Sequence, residues 1–225
     1  MAVLLPAGAS GAALLTEGFD VITTLAGSGW VMTNNSAPVG STGWFQGNPS
    51  AFSAFSGLPD SYIATNFNNA STAGNISNWL ITPQLSLSGL VEISFYTRTE
   101  VGSPFPDSLE LRLSTNGAST NVGGTDTSVG DFTTLLLSIN PSLAVSGYPE
   151  GWTQYSVQVN FASPASGRFG FRYNVPNTDT NGDYIGIDDL SVADNVGAVP
   201  EPGTMGLLAI GSIAVALGRF RRALR

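Results

Sequence analysis

The stretch Gln154–Phe161 reads QYSVQVNF, and the stretch Arg168–Val175 reads RFGFRYNV. In both, apolar and polar residues alternate, which is the repeat of a β-strand with one buried face and one solvated face. The stretches Val91–Arg98 (VEISFYTR) and Leu109–Ser114 (LELRLS) follow the same pattern. Strands that bury a single face are typical of antiparallel sheets, so these four stretches predict an antiparallel all-β domain.

The rest of residues 14–194 supports this prediction. No helical periodicity of useful length appears between residues 14 and 195, and seven further short strands are predicted. These are Leu14–Phe19, Gly29–Thr33, Gly43–Gln46, Ser61–Asn66, Asn78–Thr82, Thr134–Ile139 and Tyr184–Val192. About eleven strands in about 180 residues indicate a jelly-roll-like antiparallel β-sandwich.

Four Arg fall on the predicted polar faces of these strands, namely Arg98, Arg112, Arg168 and Arg172. We expect them to be solvated and to form at most weak cross-strand pairs with Glu92 and Glu110. They are not predicted to form a binding site.

The last predicted strand changes register. Ile185 and Ile187 point to one face, whereas Leu190 and Val192 have the opposite parity. All four can face the core only if one extra residue is inserted between them, so the pattern predicts a β-bulge at Asp188–Asp189.

Composition excludes several kinds of function. The 225 residues contain no Cys, no His and no Lys, which removes disulfides, thiolate nucleophiles, His-dependent triads and His-ligated metals. The first 218 residues hold four Arg and all sixteen acidic residues, and so acidic a surface disfavours nucleic acid. No pair of carboxylates stands out as a glycosidase site. The sequence therefore predicts a non-enzymatic protein.

The C-terminal segment has three parts. Residues 195–202 form a linker that ends in Val199-Pro200-Glu201-Pro202, and residues 203–218 are an uncharged span predicted to be a single transmembrane helix. Residues 219–225 contain Arg219, Arg221, Arg222 and Arg225, which predicts a cytoplasmic end. This order resembles the PEP-CTERM sorting signal of Gram-negative bacteria. The resemblance implies recognition by an exosortase and cleavage near Pro200–Pro202; the alternative is a simple unprocessed membrane anchor.

Residues 1–13 are apolar and rich in small residues, like the remnant of a signal peptide, but they lack a basic n-region. We expect either that Met1 lies inside a longer gene or that this segment is a degenerate signal. In both cases the protein is predicted to pass the inner membrane and reach the cell surface or the extracellular matrix.

The body, residues 14–194, also resembles a known family. The segments that carry the resemblance are Leu14–Asp20, Gly29-Trp30, Gly43–Gly47, Ser77–Pro83, Phe95–Arg98, Leu111–Ser114 and Tyr184–Asp189. They are similar to the choice-of-anchor J family, whose domains are similar to cleaved-adhesin and MAM-like jelly rolls. The resemblance implies a fold and a surface location, but no defined ligand.

Related jelly rolls often hold a structural Ca²⁺ between the first and last strands. By that resemblance we expect a calcium site built from Glu17, Asp20, Asp188 and Asp189, all of them oxygen ligands. The alternative is that these acids are merely exposed at strand ends. No other cofactor is expected.

Two functions remain open. The first is an adhesin-like or structural protein of the surface or biofilm matrix. The second is a carbohydrate-binding module for exopolysaccharide, in which Trp44 and Trp152 stack on sugar rings; the alternative, which residue type favours, is that these side chains are packed in the core.

Overall fold

The computed structural model describes residues 12–194. The transmembrane span predicted at 203–218, the linker at 195–202, the basic end and residues 1–11 of the predicted signal remnant all lie outside this range. Within residues 12–194 there is no helix with the length and apolar character needed to cross a membrane. Ala12 and Ala13, which were assigned to the signal remnant, belong to the first strand.

The described range contains eleven strands and two short 3₁₀ turns, Ile22–Ser28 and Phe67–Asn69. The strands are β1 (Ala12–Glu17), β2 (Val31–Asn34), β3 (Ala37–Val39), β4 (Phe45–Gln46), β5 (Ile63–Asn66), β6 (Ala70–Ile81), β7 (Leu85–Thr99), β8 (Leu109–Ser114), β9 (Thr134–Ile139), β10 (Thr153–Val175) and β11 (Tyr184–Asp194). The all-β prediction is confirmed.

The strands form two sheets, and all their pairings are antiparallel. Sheet A has the order β4-β5-β11-β7-β10, with β1 beside the second half of β11. Sheet B has the order β2-β6-β10-β8-β9, and β3 pairs with another part of β6. The sheets are continuous through β10, which belongs to both.

The two alternating stretches at 154–161 and 168–175 are therefore halves of one long strand. The first half pairs with β7, and the second half pairs with β6 and β8. The register shifts between Phe161 and Ala165, next to Pro164, which has no N–H to donate to a ladder. The structure has eleven strands, the number predicted, but two differences cancel. Two predicted strands are one strand, β10, and the strand β3 was not predicted.

The core lies between the two sheets. Phe95 of sheet A meets Phe171 of sheet B edge to face, with ring centroids 4.8 Å apart. The inward residues of both halves of β10 join this cluster, and those of the second half are fully buried. Burial of each such side chain contributes about 1.5 to 3 kcal/mol, so the inter-sheet cluster is the main source of stability.

A second hydrophobic cluster lies on the outer face of sheet B. The segment at residues 115–132, here called the cover segment, places Val122 and Phe132 against Trp79 and Ile81. The rings of Trp79 and Phe132 are 5.5 Å apart, and a Cβ atom at position 170 would lie 3.0 Å from the Phe132 ring. Gly170 therefore leaves the room that the cover segment occupies.

The cover segment also buries an arginine that was expected to be solvated. Arg172 is 4% exposed, its guanidinium lies 5.5 Å from the Trp79 ring centre, and its Nη1 is 3.3 Å from Glu110 Oε2. Glu110 also accepts from Arg112 at 2.7 Å, and Arg172 donates to the main-chain oxygen of Asp126. The predicted pairing of Arg172 with Glu110 is thus confirmed. The prediction that Arg172 is solvated is wrong, because no local sequence pattern indicates that a polar loop covers this face.

Candidate functional site

The β-bulge predicted at Asp188–Asp189 is present. Asp188 pairs with Tyr96, but the next paired residue is Ser191, opposite Ser94, so β11 carries one extra residue at this point. Asp189 has a φ of 45°, in the left-handed region. The extra residue allows Ile187, before the bulge, and Leu190, after it, to face the core together, and both are buried.

Asp188 holds the loop at Phe55 and Ser56 against the bulge. It is fully buried, and its Oδ2 accepts hydrogen bonds from the main-chain N–H groups of Phe55 (2.8 Å) and Ser56 (3.2 Å), while its Oδ1 accepts from that of Asp189 (2.7 Å). Burial raises the pKa of the Asp188 carboxyl to about 6, although these hydrogen bonds favour the charged form and oppose the rise. Its contacts are those of a structural anchor.

Two other predicted acids face a common space. A Cβ atom built on Gly18 would lie 3.9 Å from an oxygen of Asp20 and 3.9 Å from an oxygen of Asp189. Asp189 Oδ1 accepts a hydrogen bond from Ser56 Oγ at 2.8 Å. Glu17 instead accepts from the main-chain N–H of Phe19 at 2.9 Å. The fold thus brings the four predicted acids to one end of β1, in different roles.

These residues fit a calcium ion only in part. Among residues 12–194 no group of three or more acids is close enough to hold a metal ion. Ca²⁺ takes six to eight oxygen ligands, of which Asp20 and Asp189 could supply two, with main-chain and hydroxyl oxygens for the remainder. Asp188 already accepts three N–H donors. The calcium site stays a prediction.

The two Trp expected to stack on sugar are packed against protein. Trp44 is 6% exposed and belongs to the inter-sheet core. Trp152 is half-buried, donates its indole N–H to the Ser53 carbonyl at 2.9 Å and meets the rings of Phe52 and Tyr62 edge to face. The Trp44 indole is therefore closed to a ligand, whereas neighbouring rings cover the Trp152 indole only in part.

No local pattern in the sequence indicates a buried carboxylate at Asp107. This residue is 1% exposed and accepts hydrogen bonds from the hydroxyls of Thr99 and Tyr173 and from the main-chain N–H of Asp183. Burial raises the pKa of Asp107 to about 6. Because Thr99 belongs to sheet A and Tyr173 to sheet B, Asp107 connects the two sheets.

The sequence reasoning also missed a concave region of the surface. Two adjoining depressions of about 510 and 240 Å³, here called the Phe67 groove, share Phe67, Thr178 and Asp179 in their walls. The groove is completed by Val39, Gly40, Ser41, Asn68, Ala70, Ser71, Thr72, Ala73, Phe105, Gly182 and Asp183. Its walls come from four separate parts of the chain, so no local pattern could have revealed it.

Comparison with known proteins supports export. The PEP-CTERM protein-sorting motif matches residues 198–222, which include the predicted Pro-Glu-Pro sequence and three of the four terminal Arg. Among curated proteins, none matches the chain.

Solved structures support the fold. The K1 cleaved adhesin domain of Lys-gingipain from Porphyromonas gingivalis is 18% identical with a TM-score of 0.55, and the match covers 80% of this chain and 98% of that domain. The K3 domain of the same protein is 20% identical with a TM-score of 0.55, covering 81% and 98%. At these identities the likeness establishes a shared β-sandwich fold alone, and membership of the choice-of-anchor J family stays a prediction. The chain is an exported PEP-CTERM-sorted protein whose body has the fold of cleaved adhesin domains.

Proposed function

We propose that this chain is a non-enzymatic, adhesin-like protein that an exosortase delivers to the surface or extracellular matrix of a Gram-negative cell. The observation that carries the proposal is the sorting motif at residues 198–222. A sandwich with the fold of adhesin domains and a sequence free of Cys, His and Lys is in keeping with it.

The Pro-Glu-Pro sequence is the element that the exosortase would recognise. Two prolines around one acid cannot continue a helix or a central strand, so Pro200–Pro202 is suited to lie extended in an enzyme cleft. The uncharged span at 203–218 would hold the precursor in the membrane until processing, with the Arg-rich end on the cytoplasmic side.

The test is sorting in cells. Replacing Pro200, Glu201 and Pro202 together by Ala is expected to leave the protein in the inner-membrane fraction, whereas the wild type is recovered at the surface or in the medium. Pro164→Ala, a change of an exposed proline in β10, is the control and is expected to sort normally. Equal surface recovery of the triple variant and the wild type, or wild-type sorting in a strain without exosortase, would contradict the proposal.

We also propose a structural Ca²⁺ just after the end of β1, held by Asp20 and Asp189. Its support is the approach of both carboxylates to the space beside Gly18 and the hydroxyl of Ser56 next to Asp189. Such an ion would join the first strand to the bulge of the last one.

A further inference from the structure

The Phe67 groove exposes two aromatic rings to solvent. Phe67 is 45% exposed, and Phe105, which also lines the smaller depression, is 42% exposed. Most other phenylalanines of the described range are buried or half-buried. Exposed rings at a concave place are a mark of a binding surface, because burying them in the core would stabilise the fold more.

Main-chain hydrogen bonds hold the groove in shape. Thr178 and Gly74 are joined twice, through Thr178 N–H to the Gly74 carbonyl (3.0 Å) and Gly74 N–H to Thr178 Oγ1 (3.1 Å). The Phe67 N–H donates to the Asp183 carbonyl at 2.9 Å, and the Gly182 N–H donates to the Pro106 carbonyl at 2.9 Å. A ligand would therefore meet walls that are already ordered, which lowers the entropy cost of binding.

The polar lining of the groove is available to a ligand. The side chains of Asn68, Asp179 and Asp183 make no hydrogen bond to any other residue between positions 12 and 194, and the same holds for the hydroxyls of Ser71 and Thr72. Carboxylate and amide oxygens accept hydrogen bonds from hydroxyl groups, and the amide N–H₂ and the side-chain hydroxyls can donate.

Charge limits what the groove can accept. No Arg lines it, and two carboxylates do. The negative charge of Asp183 also reaches Glu100, whose pKa is raised by burial first and by that charge second. Phosphate, sulfate or uronate groups would be repelled here.

We propose that the Phe67 groove binds a neutral polysaccharide chain, with sugar rings stacked on Phe67 and Phe105 and sugar hydroxyls bonded to Asn68, Asp179 and Asp183. A neutral sugar offers an apolar C–H face to a ring and hydroxyls to the polar lining, so it matches both parts of the groove. This inference rests on the proposed function and names the ligand of the surface protein. Peptides rich in Lys or Arg are the competing ligand, because acids and rings together also suit cations.

The experiment is affinity electrophoresis and calorimetry on the full chain, purified in mild detergent. The probes are soluble xylan, galactan, mannan and mixed-linkage glucan as neutral chains, polygalacturonate as an anionic chain, and poly-lysine. At least one neutral polysaccharide is expected to bind, and polygalacturonate is not. Phe67→Ala is expected to weaken binding about tenfold, which corresponds to about 1.4 kcal/mol, while Phe67→Tyr retains it.

The matched control is Phe55→Ala. Phe55 is 43% exposed, nearly as much as Phe67, but it lies beside the bulge of β11. Phe67 instead contacts Asp183, just before β11 begins. Asp179→Ala, at an exposed position, is the second variant, in case Phe67→Ala unfolds, and it is also expected to weaken binding. Thermal unfolding of each variant reports whether it is folded.

Three outcomes would overturn the inference: no neutral polysaccharide binds, Phe55→Ala weakens binding as much as Phe67→Ala, or poly-lysine binds in the groove and the sugars do not. Sorting is scored separately in cells, where Phe67→Ala is expected to leave surface delivery unchanged. Failure of the sugar site thus leaves the proposed export route standing, and failure of sorting is seen without any sugar.

Discussion

The outer faces of the two sheets differ, although β10 contributes alternating residues to both. On sheet A, Gln154, Ser156 and Gln158 are exposed. On sheet B, Gly170 and Arg172 of the same strand are buried beneath the cover segment. An alternating pattern therefore identifies the inner face of a strand, but whether the outer face is solvated depends on segments elsewhere in the chain.

The largest effect is expected from removing the ring that joins the cover segment to sheet B. Phe132→Ala should lower the free energy of unfolding by about 4 kcal/mol, because Phe132 is fully buried against Trp79 and would leave a cavity. Urea denaturation measures it. Tyr96→Ala removes a half-buried ring from the outer face of sheet A and should cost under about 2 kcal/mol. Equal losses would mean that the two outer faces are alike.

The second prediction concerns the buried ion pair between Arg172 and Glu110 on the outer face of sheet B. Arg172→Ala should lower the free energy of unfolding by about 3 kcal/mol, since it leaves Glu110 with one cationic partner and removes the donor to the Asp126 carbonyl. Gln158→Ala, on the solvated half of the same strand, should cost less than about 0.5 kcal/mol. Chemical denaturation compares them, and a harmless Arg172→Ala would show that the cover segment is not held by this residue.

The pH dependence of stability tests the two buried acids, one at the bulge of sheet A and one that connects the sheets. Asp188 in sheet A and Asp107, bonded to Tyr173 in sheet B, both have a pKa raised to about 6 from an ordinary value of 3.8. Between these values the folded chain binds more protons than the unfolded chain, so stability should increase as pH falls from about 8 to about 5 and be lost again as pH rises through 6. The two groups together should contribute about 2 to 3 kcal/mol.

Denaturation curves at several pH values measure this slope. Asp107→Asn and Asp188→Asn should each remove about half of it, whatever their effect on stability at neutral pH. A wild-type stability that is flat or decreasing between about pH 8 and pH 5 would contradict the raised pKa values.

The smallest effect is expected from calcium at the edge of sheet A. Ca²⁺ at ten times its dissociation constant should add about 1.4 kcal/mol to the free energy of unfolding, seen as a rise in Tm. Asp20→Asn combined with Asp189→Asn should abolish the rise, while Asp131→Asn, in the cover segment, should not. If millimolar Ca²⁺ gives neither a heat of binding nor a change in Tm, the calcium site does not exist.

Local sequence patterns predicted the strands well where a single face meets the core. The bulge at Asp188–Asp189 followed from parity alone, because four apolar residues of mixed parity cannot otherwise share a face. The same reasoning could not show that residues 154–161 and 168–175 are one strand, since a Pro between two alternating stretches is also typical of a turn between two strands.

Features formed by distant segments were not predictable in this way. The cover segment is rich in Gly, Ser, Thr and Asn, which is typical of a solvated loop, and its side toward the sheet is marked by Val122, Val129 and Phe132 alone. Trp44 and Trp152 follow glycines and therefore resemble loop residues, yet tertiary packing buries Trp44 and half-buries Trp152. The Phe67 groove needs four separate segments and leaves no local trace.

The pairing of β11 has a mechanical consequence. The chain continues from Asp194 toward the matched sorting motif, while the Phe67 groove lies at the other end of β11, where Asp183 bonds to Phe67. A tether beyond Asp194 and a load on the groove would pull along this strand. Because β7 lies along most of one edge and β5 and β1 share the other, the force would act in shear on both ladders, so that many hydrogen bonds must break together rather than one after another.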